Sequence, residues 1–356
     1  MSNDAENKPQ KKNFAKYAMF AAGLVFSLLF FYYAAKDVDF SKIPETLVKV
    51  DYTLYGLSIL LYAFSFFVKA FQVRVMLSFK KVIRTLSVVS PIIIGYFCNN
   101  IFPAKAGEVI RTTLIARKQS LPFWTVFSAT LLERSLDLVF VLLIALGTSF
   151  FISFPPEVLI SIRSFVIFLI VLYAGLITLA VLAKKKKGET PRIVARLLPE
   201  KIRNKVRSTI VRLADGLWAV RKPRPLAGTF VVGLVFWIIN LTGYYLRLRA
   251  FGFTVSPAVA GFVIVVVGLG VSIPSMPSYI GVYHGLIIFA LGFFGIGKDE
   301  AFSFALFTHA LDFVTVAILG NIAIVAEGLS LKALRKTAAA PPQGNDTEQA
   351  QQSDTE

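Results

Sequence analysis

Nine segments of the chain, at about 17–35, 52–77, 86–102, 121–150, 158–183, 227–250, 258–273, 281–296 and 300–327, are apolar over lengths near or above those that cross a bilayer. A transmembrane helix takes ~20 apolar residues, because hydrocarbon offers no partner to an open backbone N–H or C=O and only a helix pairs them within one segment. The pattern confines the chain to an all-α polytopic membrane protein. Composition agrees: 17% of residues are charged, against ~25% in an average soluble domain. The first segment runs past the length of a signal-peptide core to Lys36 without a small-residue cleavage site, so it reads as an uncleaved helix. A single cysteine, Cys98, excludes an internal disulfide and a paired-cysteine metal or redox site.

Basic residues orient the segments. Residues 184–226 carry fourteen Lys and Arg against Glu189, Glu200 and Asp215, which places this loop in the cytoplasm by the positive-inside rule. Within it Ile202, Val206, Ile210, Leu213, Leu217 and Val220 form one stripe of a basic amphipathic helix, suited to an anionic lipid surface. The net charge of +17 therefore points to anionic lipid headgroups and not to nucleic acid, since the basic residues flank apolar runs. Counting outward from the loop, both ends of 86–102 fall in the cytoplasm and both ends of 258–296 fall outside. Neither can span. The expected architecture is about six spanning helices plus two opposed re-entrant elements, with eight spans as the alternative. Turn residues Asn99, Asn100, Pro103 and Gly107 mark the first element, and Pro274, Pro277 and Gly281 the second. The expected organisation is a disordered cytoplasmic tail over 1–13, one transmembrane domain over 14–335 and a disordered tail over 336–356, with both termini cytoplasmic.

A weak internal repeat fits opposed elements. Pro103-x-x-x-Gly107 precedes Leu136-Asp137-x-Val139-x-Val141, and Pro277-x-x-x-Gly281 precedes Leu311-Asp312-x-Val314-x-Val316. Broken helices from inverted repeats that meet near the midplane present free backbone groups to a polar substrate.

Charged residues inside apolar runs are costly unless they are paired, and default to function. Glu133, Arg134 and Asp137 lie deep in the 121–150 segment. Glu133 and Asp137 share one helical face and need a cation, with Lys105, Arg111, Lys69 and Arg74 as candidates, while Arg134 points off that face. Glu108 and Arg111 share a face just past Gly107, where with Lys105 they suit a phosphate. The two histidines, His284 and His309, both fall beside the second motif, and His309 lies three residues before Asp312, which suggests a protonation-sensitive pair. The expected headgroup site is Lys105, Glu108, Arg111, Glu133, Arg134, Asp137, His284, His309 and Asp312. No metal site, P-loop or other cofactor motif is read.

Lys69-x-x-x-x-Arg74, Asn100-Ile-Phe-Pro103-Ala-Lys-Ala-Gly107-Glu108-x-x-Arg111, Glu133-Arg134-x-x-Asp137 and Pro274-Ser-Met-Pro277-Ser-Tyr-Ile-Gly281-Val-Tyr-His284 together resemble the flippase-like family. This is the transmembrane region of lysylphosphatidylglycerol synthases and their AglD-type stand-alone relatives. The likeness covers about residues 15–330. It implies movement of a charged or glycan-linked lipid across the cytoplasmic membrane, with two re-entrant elements around a central cavity. Where many members carry an acid in the second motif, His284 stands here. No counterpart of the soluble aminoacyl-transferase domain is present, so lysyl-lipid synthesis is not expected.

The function expected is that of a transporter and not an enzyme: a flippase or scramblase for a phosphate-bearing phospholipid or glycolipid, without an ATPase of its own. The alternatives are a membrane-embedded glycosyl or phospholipid transferase using Asp37 and Asp39, or a non-catalytic partner of a lipid-biosynthesis enzyme.

Overall fold

The computed structural model describes residues 25, 27–78, 80–102, 105–164, 166–167, 171, 223–271 and 277–339. Among them every regular element is helical. After α1 (27–35) come α2 (Lys42–Val48), α3 (Tyr52–Leu77), α4 (Leu86–Ile101), α5 (Ala106–Gln119), α6 (Phe123–Ser149) and α7 (156–164). The later elements are α8 (Pro223–Ala250), α9 (Pro257–Gly270), a 3-10 turn (Pro277–Tyr279), α10 (Val282–Gly292), α11 (Lys298–Ala326) and α12 (Leu331–Ala339). Local chemistry sets their ends. The Asp51 carboxylate accepts from the N–H groups of Thr53 and Leu54 at the start of α3, and Pro257 occupies the first turn of α9, where its missing N–H costs nothing.

Among the described residues three helices are long and apolar enough to cross a membrane: α3, α8 over Arg224–Ala250, and α11. The chain is a multi-pass membrane protein. Helix α6 matches them in length at 27 residues, but Glu133, Arg134 and Asp137 interrupt its apolar surface. The segment expected at 158–183 is described only at its start, and Pro103, Pro274 and the basic loop up to residue 222 lie outside the described residues, as does the tail 1–13.

Several boundaries differ from the sequence reading. Residues 86–102 do not dip in and return by themselves: α4 is one continuous helix around Pro91, and α5 is the returning limb. The sequence conceals this because α5 is polar and carries no apolar run. Helix α8 begins at Pro223, inside the expected basic loop, since Pro is tolerated in a first turn. Residues 336–339 complete α12 where a disordered tail was expected; its Leu334 is buried, and that contact holds the short helix in place.

The order long helix, helix–break–helix, long helix occurs twice, as α3–α6 and again as α8–α11. The corresponding helices α3 and α8 are antiparallel neighbours. Arg247 meets Ser58, Gly243 faces Leu61, Gln72 meets Thr229 and Gly228 faces Val75. Each first limb packs on the last long helix of the other half: Gly320 of α11 faces Phe97 of α4, and Gly268 of α9 faces Val141 of α6. The limbs of the first hairpin touch through glycine, since a Cβ on Gly107 would lie 2.0 Å from the Gly95 carbonyl oxygen. The two hairpins meet at their tips. The Ser278 hydroxyl donates to the Asn100 carbonyl at 3.2 Å, and Lys105 Nζ lies 6.0 Å from the Tyr279 ring centre. Gly281, at φ 86°, lies against the backbone of Ser27 in α1, an approach and a conformation that only glycine takes without strain.

Candidate functional site

One helical turn separates Glu133 from Asp137, so both carboxylates leave α6 on one face and would repel each other if left bare. Lys69 of α3 lies between them, 3.1 Å from Glu133 Oε1 and 2.7 Å from Asp137 Oδ1. Arg111 of α5 reaches Glu133 Oε2 at 3.3 Å and, with its Nε, Glu108 Oε2 at 2.8 Å. Arg134 then joins Glu108 Oε1 at 2.6 Å to Asp137 Oδ2 at 3.4 Å. The result is a closed ring of six charges in strict alternation, Lys69, Glu133, Arg111, Glu108, Arg134 and Asp137. Asn99 adds a hydrogen bond to Glu108 and Trp237 one to Asp137. Contrary to expectation Arg134 does reach Asp137, because a long side chain three residues away bends back along the helix. Arg74 takes no part; it donates to Thr85 and lies over Phe71.

Burial grades across the ring. The Lys69 and Glu133 side chains have no exposed surface, whereas that of Arg134 is 35% exposed. An isolated ion in such surroundings costs several kcal/mol, and alternation compensates each charge by two of the opposite sign. Beside the open edge stands Lys105, in a left-handed conformation at the hairpin tip. It is exposed, has Arg134 and Glu108 as its charged neighbours, and forms no ion pair among the described residues.

A second charged pair belongs to the other half. Arg247 of α8 donates from both terminal nitrogens to Asp312 of α11, each at 2.8 Å, and from Nε to Ser58. Asp312 therefore does not pair with His309. The shared helical face placed them together, but the bidentate fit of a guanidinium claims both carboxylate oxygens. His309 lies against the rings of Tyr283 and His284 at 5.0 and 5.1 Å, and His284 Nδ1 accepts from the Gly281 N–H. Arg247 was missed because an arginine near a helix end reads as a solvated flank. The available signal was its position, since by the assigned orientation that end faces outward, where the positive-inside rule disfavours cations.

Three rings join the two pairs. Arg134 lies over Tyr96 at 5.5 Å, Tyr96 meets Phe66, Phe66 meets Tyr62, and Arg247 lies over Tyr62 at 5.4 Å. Tyr62, Tyr96, Tyr244, Tyr283, His309 and Asp312 all keep accessible surface although protein surrounds them. Together they form a partly accessible polar cluster beside the hairpin tips, where the hydroxyls of Tyr244 and Tyr283 approach to 3.2 Å.

Among the described residues no three His, Cys, Asp or Glu side chains come together as metal ligands. Asp39 is engaged elsewhere. Its carboxylate accepts from the Ser41 hydroxyl and N–H, its own N–H donates to Asp299, and Lys42 pairs with Asp299 at 2.8 Å. The Ser41 hydroxyl is the main cause that holds the Asp39 carboxyl below its ordinary value, and the bond to Asp299 raises the Lys42 ammonium.

Residues 20–320 match the family model described as the lysylphosphatidylglycerol synthase TM region. A relative from Methanothermobacter thermautotrophicus, described as a UPF0104 membrane protein, is 21% identical over 257 residues, covering 67% of this chain and 75% of that protein. No solved structure matches the chain.

Proposed function

Because the chain belongs to the lysylphosphatidylglycerol synthase transmembrane-region family, we propose that it is a lipid translocase, a flippase or scramblase for a phosphate-bearing phospholipid or glycolipid. It acts in the cytoplasmic membrane, with both termini cytoplasmic and the two hairpins re-entrant from opposite faces, and has no ATPase of its own. Its partners are membrane lipids and anionic headgroups, and the basic loop leaves room for a lipid-biosynthesis enzyme.

One observation carries this reading. A compensated ring of buried charge is most open at Arg134, and Lys105, which forms no ion pair among the described residues, stands at that opening beside the polar cluster that we take as the lining of a headgroup cleft. A headgroup phosphate entering there accepts from a guanidinium and an ammonium, an exchange of one anionic partner for another that leaves no charge bare. The acyl chains stay in lipid throughout. The antiparallel halves supply a second arginine–aspartate pair at the other end of the cleft, which lets a headgroup pass from one cation to the next. The transferase alternative has less support, because Asp39 serves as a turn cap tied to α11.

The test is a dithionite-quenching assay on liposomes that hold purified protein and fluorescent phospholipids. Wild-type protein is expected to expose inner-leaflet lipid to the quencher, and Arg134→Gln to abolish this while still inserting. Equal quenching in both overturns the proposal.

A further inference from the structure

The charge inventory of the cleft restricts the headgroup. A lipid ammonium needs either a free carboxylate or an open aromatic face. Both kinds of acceptor are already occupied. Among the described residues of the cleft and its ring, Glu108, Glu133, Asp137 and Asp312 each hold a protein cation at 3.3 Å or closer. Most of the rings are covered in the same way: Tyr96 carries Arg134, Tyr62 and Tyr55 carry Arg247, and Tyr279 lies nearest Lys105, while Tyr283 packs against His309 and Tyr244 against Phe304. The ring of three cations and three anions is neutral and so is the Arg247–Asp312 pair, which leaves Lys105 without a carboxylate partner among the described residues.

Resting on the translocase reading above, we propose that the lipid taken by this cleft is a net-anionic phosphodiester whose headgroup carries no ammonium. A zwitterionic or aminoacylated headgroup would bring a cation that finds no acceptor and would meet Lys105 and Arg134 as like charges. An anionic phosphodiester brings one negative charge to Lys105, which holds no carboxylate among the described residues. Lys105 is the residue that sets the preference, because every other cation of the ring and of the second pair already holds a protein carboxylate.

The test separates binding from movement. Purified protein in neutral detergent is titrated with short-chain phosphatidylglycerol, phosphatidylethanolamine and lysyl-phosphatidylglycerol, with binding followed by native mass spectrometry. The same three headgroups, on fluorescent lipids, are then compared in the dithionite assay. Phosphatidylglycerol is expected to bind on the order of tenfold more tightly than the other two, the scale of one charge-assisted hydrogen bond. Lys105→Glu is expected to remove or reverse that order while the protein remains monodisperse. Equal or tighter binding of either amine lipid, or an unchanged order in Lys105→Glu, overturns the inference. If phosphatidylglycerol binds as expected yet no lipid moves, the translocase reading fails and the headgroup assignment stands. Movement of all three lipids at one rate, with no binding preference, has the opposite meaning.

Discussion

The ammonium of Lys69 on α3 lies within hydrogen-bonding distance of both carboxylate oxygens of Asp137 on α6, at 2.7 and 2.9 Å, across 68 residues of sequence. It also reaches Glu133, so one fully buried cation compensates two acids on a helix that has to sit among apolar neighbours. The ring of charges is closed on this side and most accessible at Arg134.

Lys69→Met should therefore fail in folding and not merely in transport. It takes from each of two buried carboxylates one of its two cations, and breaking a buried pair costs about 3–5 kcal/mol. Thermal unfolding and size-exclusion profiles in detergent check this. Arg134→Gln, at the exposed edge, should lose far less stability, and Lys69→Met combined with Asp137→Asn, which leaves Arg111 and Arg134 against Glu108 and Glu133, should recover much of what the single change loses. A stable, monodisperse Lys69→Met protein would show that the ring is not needed for folding.

Gly107→Ala should break the first hairpin. The added methyl would lie 2.0 Å from the Gly95 carbonyl oxygen and 2.6 Å from Asn99 Oδ1, and neither backbone nor buried amide can yield without parting the limbs. Gly56→Ala is the control: nothing lies within 4 Å of its added methyl, and the helix gains roughly 0.5–1 kcal/mol from alanine. Thermal midpoints should move in opposite directions.

Cysteines placed at Asn100 and Ser278, with Cys98 replaced by alanine, should cross-link with a short bifunctional thiol reagent, because the hairpin tips touch through these residues. If the tips part during lipid movement, the cross-link should stop quenching in the dithionite assay and either single cysteine should not. Full activity in the cross-linked protein would show that the tips stay together.

The clasp between the α1–α2 turn and α11 gives a flat stability profile over roughly pH 5 to 9. The folded Asp39 carboxyl lies below its ordinary 3.8, so its contribution is complete above that value and is lost as pH falls through the lowered one. The folded Lys42 ammonium lies above its ordinary 10.5, so its contribution is complete below that value and is lost as pH rises through the raised one. Thermal melts across pH should show a weakened acid loss in Ser41→Ala and a weakened alkaline loss in Asp299→Asn.

The apolar runs of α3, α8, α9 and α11, the breaks near Asn100 and Gly281, and the charges inside α6 were all legible in the sequence, because period, length and turn chemistry are local. So was the motif that repeats before Asp137 and Asp312. The returning limb α5 was not, since a polar helix held against its neighbour by Gly95 and Gly107 carries no apolar signature. Which cation meets which acid was not legible either. Asp312 finds Arg247 and not the nearby His309 because α3 and α8 pack antiparallel, with Ser58 against Arg247. Helix periodicity fixes the face a side chain leaves from, and only the packing of one helix on another fixes the partner it meets.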